Sequence, residues 1–398
     1  MVLRGWALSR DGRVLSGIRL RLPNGGTLDG LYGLPRPDVT AAFPQAPLNT
    51  GWELRTLLPA GQHTLQLEVQ TASGQWATAR EFTLEMRPSP VPRWSRWAET
   101  LDLLMFQFPV HAAYQPRALR PERFPRQTLK AAQLPKLSIV TPSFQQAWAL
   151  GRCMDSVLAD RDLPLEYFVQ DGGSSDGSVA EIRARADLLA GWSTGPDGGQ
   201  SHAIATGFAQ TSGRSTDLMA WINSDDFYLP GTLRFVADYF ARHPEVDIVY
   251  GHRIVVNRRG QEIARWYLPK HDPAVLRLND FVPQETLFWR RRIWDKVGGL
   301  DHSLHFAMDW DLLLRFQEAG VKIVRLPYFL ACFTAHPEQK TTAQLDTTGK
   351  AEIDMLLRRT FGRDVTTPDE LLANRDMHRY LRRSAWIEQL WKWGIRAR

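Results

Sequence analysis

The chain of 398 residues has only two cysteines, Cys153 and Cys332. Two thiols cannot build a disulfide framework, and no Cys/His spacing suggests zinc, so a reducing, cytoplasmic setting fits best. Long apolar runs are missing too. The longest, LDLLMFQFPV, carries a charge and is far too short to span a bilayer. MVLRGWALSRDGR has no apolar core of the signal-peptide kind, so no leader is expected. Neither G-x-G-x-x-G nor G-x-x-x-x-G-K-[ST] occurs, which argues against a dinucleotide fold and a P-loop. Short-period repeats and low-complexity segments are also absent. A net charge of +6 admits anionic partners without demanding nucleic acid, and none is expected. What remains is a chain that is 43% hydrophobic and 23% charged, ordinary for a globular protein of two or three domains.

Residues 1–87 alternate apolar and polar side chains with period two in RVLSGIRLRL, HTLQLEVQ and TAREFTLE, with PNGG, PAGQ and ASGQ as turns. This pattern predicts a small β-sandwich. Residues 88–135 read as a Pro- and Arg-rich linker holding one helical stretch, SRWAETLDLLMFQF. From Lys136 the style changes. KLSIVTPSF, LEYFVQD and DLMAWINSDD have strand length and alternate with helical stretches such as SVAEIRARADLLAGW and PGTLRFVADYFARH. Alternation of this kind predicts an α/β fold, a mostly parallel sheet flanked by helices over residues 136–345. Ligands of such sheets bind beyond the carboxyl ends of the strands. Residues 346–398 read as a helical tail whose last stretch, RDMHRYLRRSAWIEQLWKWGIRAR, carries seven Lys or Arg against two acids.

Four segments carry chemistry. WINSDDFYLPG places Asp225 beside Asp226 at a strand end. Adjacent carboxylates are unfavourable unless a cation or hydrogen bonds compensate. Mg²⁺ or Mn²⁺ prefers such oxygen ligands and commonly binds substrate phosphates as well. The competing reading has one Asp capping the helix at PGTLRF and the other solvated. GPDGGQSHAIATGF opens a helix after a glycine-rich loop, a place that favours phosphate or is a plain strand-to-helix turn. In HFAMDWDLLLRFQEAG, Asp309 and Asp311 are two apart on a helix and cannot share a face. Asp309 is then free to point into a site while Asp311 pairs with Arg315 at i, i+4, or Asp309 merely meets the helix dipole. In ACFTAHPEQKT, His336 follows an apolar strand, which beside an acidic site makes it a candidate for metal or diphosphate contact.

Taken in order, VTPSF, QDGGSSDGS, GPDGGQSHAIATGF, WINSDD, QETLFWRRRIWDKVGGLD, AMDWDLLLRF and AHPEQKT resemble the family 2 glycosyltransferases of GT-A fold over roughly residues 136–345. The resemblance implies an inverting enzyme that moves a hexosyl or deoxyhexosyl group from a nucleotide-diphosphate sugar to a glycan or lipid-linked glycan, with Mg²⁺ or Mn²⁺. Bacterial surface polysaccharide or glycan assembly is the expected setting. Asp309 matches the family's catalytic base, although Met308 replaces the usual preceding Glu. Asn223-Ser224-Asp225 stands at the family's DxD motif, with Asn replacing the first acid. The implied metal side comprises Asp225, Asp226 and His336. The implied nucleotide-sugar side comprises Pro142, Ser143, Asp171, Ser174, Asp176, Asp197, Gln200, Asn223 and Asp225. Gln284, Glu285 and Trp310 fall on the implied acceptor side. The N-terminal region is more loosely similar to immunoglobulin-like modules of bacterial transferases. A silent carbohydrate-binding protein is the alternative of a different class, but Asp171, Asp225 and Asp309 are all present. Sugar-phosphate nucleotidyl transfer is a second alternative, which usually needs a basic glycine-rich loop that VTPSFQQAW is not. Trp386, Trp391 and Trp393 with Arg382, Arg383, Lys392, Arg396 and Arg398 read either as a peripheral contact with an anionic membrane or as a helix packing on the catalytic domain.

Overall fold

In a computed structural model, the described residues are 2–7, 15–22, 26–34, 39, 50–55, 61–71, 74–86, 116–336, 348–363 and 374–392. The chain divides into two compact units, Met1–Trp97 and Ala98–Arg398. The helical stretch expected within the linker, and the tail beyond Lys392, lie outside the described residues.

The first unit holds six strands, β1 (Val2–Trp6), β2 (Gly17–Arg21), β3 (Thr27–Leu34), β4 (Gly51–Arg55), β5 (Gly61–Gln70) and β6 (Trp76–Met86), in the order β1-β4-β3-β2-β5-β6. Every pairing is antiparallel. β3 changes partner midway: Thr27–Gly30 pair with β2, and Leu31–Leu34 with β4. That switch joins two small sheets. The period-two pattern buries Ile18 and Leu20 of β2 with Trp52, Leu65 and Leu67. This is the small antiparallel module its alternation predicts.

The second unit is built on β7 (Leu137–Ser143), β8 (Leu165–Asp171), β9 (Gly191–Thr194), β10 (Leu218–Trp221), β11 (Phe227–Tyr228), β12 (Ile248–Val256), β13 (Glu262–Trp266), β14 (Phe288–Arg290) and β15 (Ile323–Thr334). The order is β11-β15-β12-β14-β10-β7-β8-β9, with β13 on β12. The sheet is mixed. β9, β8, β7 and β10 are parallel neighbours, as are β12 and β15. β14 runs against both β10 and β12. Two reversals restore direction, so those six strands all end at one edge.

Alternate residues of the buried strands feed two cores. Val140, Phe168, Met219 and Trp221 join one core with Ile204 and Phe208 of α3 (Gln200–Ala209) and with α6 (Arg291–Val297) and α7 (Met308–Glu318). Ile139, Tyr167, Val169 and Ala220 join the other, with Leu150, Met154 and Val157 of α1 (Ala147–Val157) and Leu233, Val236 and Phe240 of α4 (Thr232–Arg242). Trp221 and Trp289, two of the fifteen tryptophans, stand edge to face at 5.4 Å in the first core. The remaining helices used below are α2 (Ser178–Arg183), α5 (Pro273–Leu276), α8 (Lys350–Phe361) and α9 (Arg375–Lys392). Among the described residues, no helix is long and apolar enough to cross a membrane.

α3 lies hard against the sheet at Gly207, where a Cβ would fall 2.5 Å and 2.9 Å from the two Val140 methyl carbons. Val140 sits on a buried strand with a stiff side chain and has little room to yield. Gly207→Ala is therefore expected to destabilise the unit by about 1–3 kcal/mol despite the better helix propensity of alanine. Equilibrium denaturation of the two proteins checks this.

Candidate functional site

The strands that end at one edge deliver the chemistry. At the end of β8, Asp171 is 3% exposed. Its Oδ2 accepts the Gly173 and Ser174 amides and the Thr194 hydroxyl, and its Oδ1 accepts the Ser174 hydroxyl at 2.6 Å. Asp171 and Ser174 thus organise the GGSS turn, and the carboxylate has no oxygen left unoccupied. Asp176 accepts the Ala147 amide on Oδ2 and the Ser178 amide and hydroxyl on Oδ1, capping α1 and α2 together. Pro142 and Ser143 end β7, and the buried Ser143 hydroxyl has no hydrogen-bond partner among the described residues. Phe144, just beyond, is exposed and crowds Gly172 together with Asp197.

The glycine-rich loop enters α3 through Gly199, whose φ of 98° suits glycine. Asp197 accepts the Gly199 amide at 2.8 Å. In the first turn of α3, Gln200 donates to Asn223 Oδ1 at 2.7 Å, so the helix start is tied to the strand end that holds the adjacent carboxylates.

Those carboxylates divide. Asp225, half-buried, meets His336 with Oδ2 to Nε2 at 2.8 Å. Asp226 is 2% exposed, and its Oδ1 accepts the Thr334 amide at 2.9 Å. Burial, and then the charges of Asp225 and Glu285, push the Asp226 carboxyl well above the usual carboxylate range. Asp226 meets the Thr334 amide while Asp225 meets His336, so the expected trio of Asp225, Asp226 and His336 does not stand as one ligand group among the described residues. Arg152 is the cation beside them, donating to the Thr334 hydroxyl at 3.3 Å, its pKa lowered by burial.

Behind the pair, Glu285 is 1% exposed and forms an ion pair with buried Arg253 at 2.7 Å. Gln284 is buried and donates to the Trp221 carbonyl at 2.9 Å. Trp310 is 3% exposed in α7, with Nε1 donating to the Leu276 carbonyl of α5. All three are buried with an internal partner each, and the Gln284 Oε1 has no hydrogen-bond partner among the described residues. They hold the floor of the site.

Asp309 occupies the first turn of α7, half-buried, with Oδ1 accepting the Trp310 amide at 2.9 Å. Asp311 is fully buried and paired with Arg315 at 2.8 Å, the division their spacing implies. Removal from water, then the nearby Asp309 charge, pushes the Asp280 carboxyl well above its usual range. Glu285 acts on both Asp280 and Asp226. Asp225 and Glu285 thus act on Asp226, and Asp309 and Glu285 on Asp280, with buried Arg253 as a cation among them. The starts of α3 and α7 also meet: His202 and His302 lie 5.8 Å apart, and His305 faces Gly199. Asp280, between Leu278 and Phe281, carried no motif in the sequence, and only this convergence finds it.

The donor set suits a hard divalent cation: one carboxylate and one imidazole, side by side in acidic surroundings. Among the described residues, no three His, Cys, Asp or Glu form a complete ligand group. Asp225 and His336 fit a cation that takes its remaining ligands from water and a diphosphate. Trp148 meets His336 edge-on at 5.1 Å, and the Arg258 guanidinium lies 4.8 Å above Trp148, placing a cation at the rim.

A family model described as "Glycosyl transferase family 2" matches residues 138–299. An O-antigen biosynthesis protein of Myxococcus xanthus is 27% identical over 250 residues, 60% of this chain and 19% of that protein. An uncharacterized glycosyltransferase of Mycobacterium tuberculosis is 30% identical over 186 residues, 46% of this chain and 68% of that protein. Among solved structures, S. aureus TarS residues 1–349 in complex with UDP-GlcNAc aligns with a TM-score of 0.47 at 17% identity, covering 62% of this chain and 72% of that one. The family match spans five of the six strands that end at the acidic edge, β15 lying beyond it, and two thirds of the mycobacterial protein is covered at 30% identity. The chain belongs to glycosyl transferase family 2.

Proposed function

We propose that the protein is an inverting, metal-dependent glycosyltransferase that moves a hexosyl or deoxyhexosyl group from a nucleotide-diphosphate sugar to a hydroxyl of a glycan or lipid-linked glycan, in surface polysaccharide assembly. The observation that carries this reading is the Asp225–His336 pair at the strand edge, with Asp309 in the first turn of α7 as a second, separate carboxylate. Inversion needs one displacement at the anomeric carbon, so one base opposite the leaving group suffices. Asp309 takes the proton of the acceptor hydroxyl as that oxygen attacks. A sugar hydroxyl is a poor acid, so proton transfer is concerted with bond formation. Asp225 and His336 hold Mg²⁺ or Mn²⁺, which when bound neutralises charge on a diphosphate as a Lewis acid. Asp171 and Asp176 shape the nucleotide end through the turns they cap, and the start of α3, tied to Asn223 by Gln200, faces the phosphates. Release of nucleoside diphosphate from a panel of nucleotide sugars, with and without Mn²⁺, tests the reading. Metal-dependent release from one donor supports it. Silence, together with no donor or metal binding by calorimetry, favours the carbohydrate-binding alternative.

The same reading places the enzyme on the cytoplasmic side, in peripheral contact with the membrane through α9. Met377, Tyr380, Ser384 and Ile387 are buried, and Trp391 packs on Phe329 at 5.3 Å, so that face belongs to the domain. The opposite face exposes Arg375, Arg379, Arg382 and Arg383, and Trp386 at 62%. Trp393, Arg396 and Arg398 lie outside the described residues. Basic residues beside anionic lipid contribute about 1 kcal/mol each. Arg382→Glu/Arg383→Glu is therefore expected to weaken co-sedimentation with anionic vesicles by more than about 10-fold. Equal recovery of both proteins removes the membrane contact.

A further inference from the structure

We propose that Glu352 is a positioning residue for Asp309, acting from a separate helix on the backbone that carries the base. The inference rests on the reading of Asp309 as that base. α7 begins after Ala307, whose side chain cannot cap, and no side chain of its own N-cap satisfies its first amides. Glu352, in the first turn of α8 and 9% exposed, instead holds the backbone that leads into α7, up to and including the N-cap amide. Its Oε1 accepts the His305 amide and its Oε2 accepts those of Phe306 and Ala307, all at 2.8 Å. One carboxylate gathers three consecutive amides, ending two residues before Asp309.

A second contact locks the far side. Arg359, seven residues along α8 and so on the same face, donates to Asp311 Oδ1 at 2.5 Å. Asp311 is fully buried and also bound by Arg315. α8 thus grips α7 on both sides of Asp309, through amides before it and a carboxylate after it. The Asp309 carboxylate takes its direction from the turn between these grips, because its Oδ1 is engaged with the Trp310 amide of that turn. The gripped residues also touch the other half of the site, since His305 faces Gly199 at the start of α3. Base catalysis depends steeply on placement, and a shift of about 1 Å costs up to about 10²-fold.

The test compares wild type, Glu352→Gln and Asp309→Asn for kcat, for Kd of nucleoside diphosphate with Mn²⁺, and for thermal melting. Gln keeps the shape of Glu but offers one acceptor oxygen and turns an NH₂ toward amide donors. In folded Glu352→Gln, kcat is expected to fall about 10–100-fold while Kd stays within about twofold. A kcat within about twofold of wild type, or a loss shared equally by kcat and Kd, overturns the proposal. If Asp309→Asn itself keeps full turnover, the base reading fails, whatever Glu352→Gln does. Should Glu352→Gln not fold, Glu352→Asp carries the same comparison: it keeps the charge but is one methylene too short to span three amides. Loss of kcat with unchanged Kd supports the role, and wild-type kcat overturns it.

Discussion

Asp309→Asn is expected to lower kcat by about 10²–10⁴-fold while leaving nucleoside diphosphate binding intact, the range general-base help is worth. The substitution keeps an oxygen for the Trp310 amide, so the first turn of α7 is undisturbed. What it removes is a group able to take the acceptor proton. Asp280 does not replace it. Its carboxyl is pushed well above the usual range by removal from water first and by Asp309 second. In the variant the first cause persists and still favours the neutral form. Steady-state transfer with a saturating donor checks the prediction, and near-wild-type turnover with unchanged metal dependence makes the base assignment wrong.

Asp225→Ala is expected to abolish Mn²⁺-dependent turnover and to weaken Mn²⁺ binding with nucleoside diphosphate by more than about 100-fold. Losing an outer partner of a metal ligand already costs about 10–100-fold, and here a direct ligand goes. The loop itself should hold. Asp226 keeps its bond to the Thr334 amide, and Phe227 and Tyr228 stay paired with Cys332 and Ala331 of β15. A melting temperature near that of wild type, with metal dependence gone, is the expected pair of results. Retained Mn²⁺ dependence would place the cation elsewhere.

Local patterns were readable in the sequence where neighbours along the chain decide the outcome. Alternation in GIRLR marks a strand because period two sends side chains to opposite faces, and the apolar run LSIVTPS has strand length and is buried throughout. The two-residue spacing of Asp309 and Asp311 separates their roles, and Asp311 indeed binds Arg315 one turn on. Other features depend on contacts between distant segments. Asp225 and Asp226 look equivalent in WINSDD. Only the end of β15 separates them, by offering an imidazole to one and an amide to the other. Trp310 sits beside the base in sequence, yet helical rotation carries its ring into the core toward Leu276. β14 is three residues long and too short to announce a direction, so the mixed character of the sheet was hidden. Asp280 and Glu352 belong to no motif. Each acquires its role from a partner on another element.

The central claim is that the Asp225–His336 pair holds a cation with diphosphate while Asp309, separate from it, is the base. Calorimetry with UDP, GDP and dTDP, with and without Mn²⁺, tests it most directly on wild type, Asp225→Ala and Asp309→Asn. The account predicts that one nucleoside diphosphate binds only with Mn²⁺, that Asp225→Ala loses this binding, and that Asp309→Asn keeps it. Binding that ignores Mn²⁺, or that survives in Asp225→Ala and fails in Asp309→Asn, would contradict it.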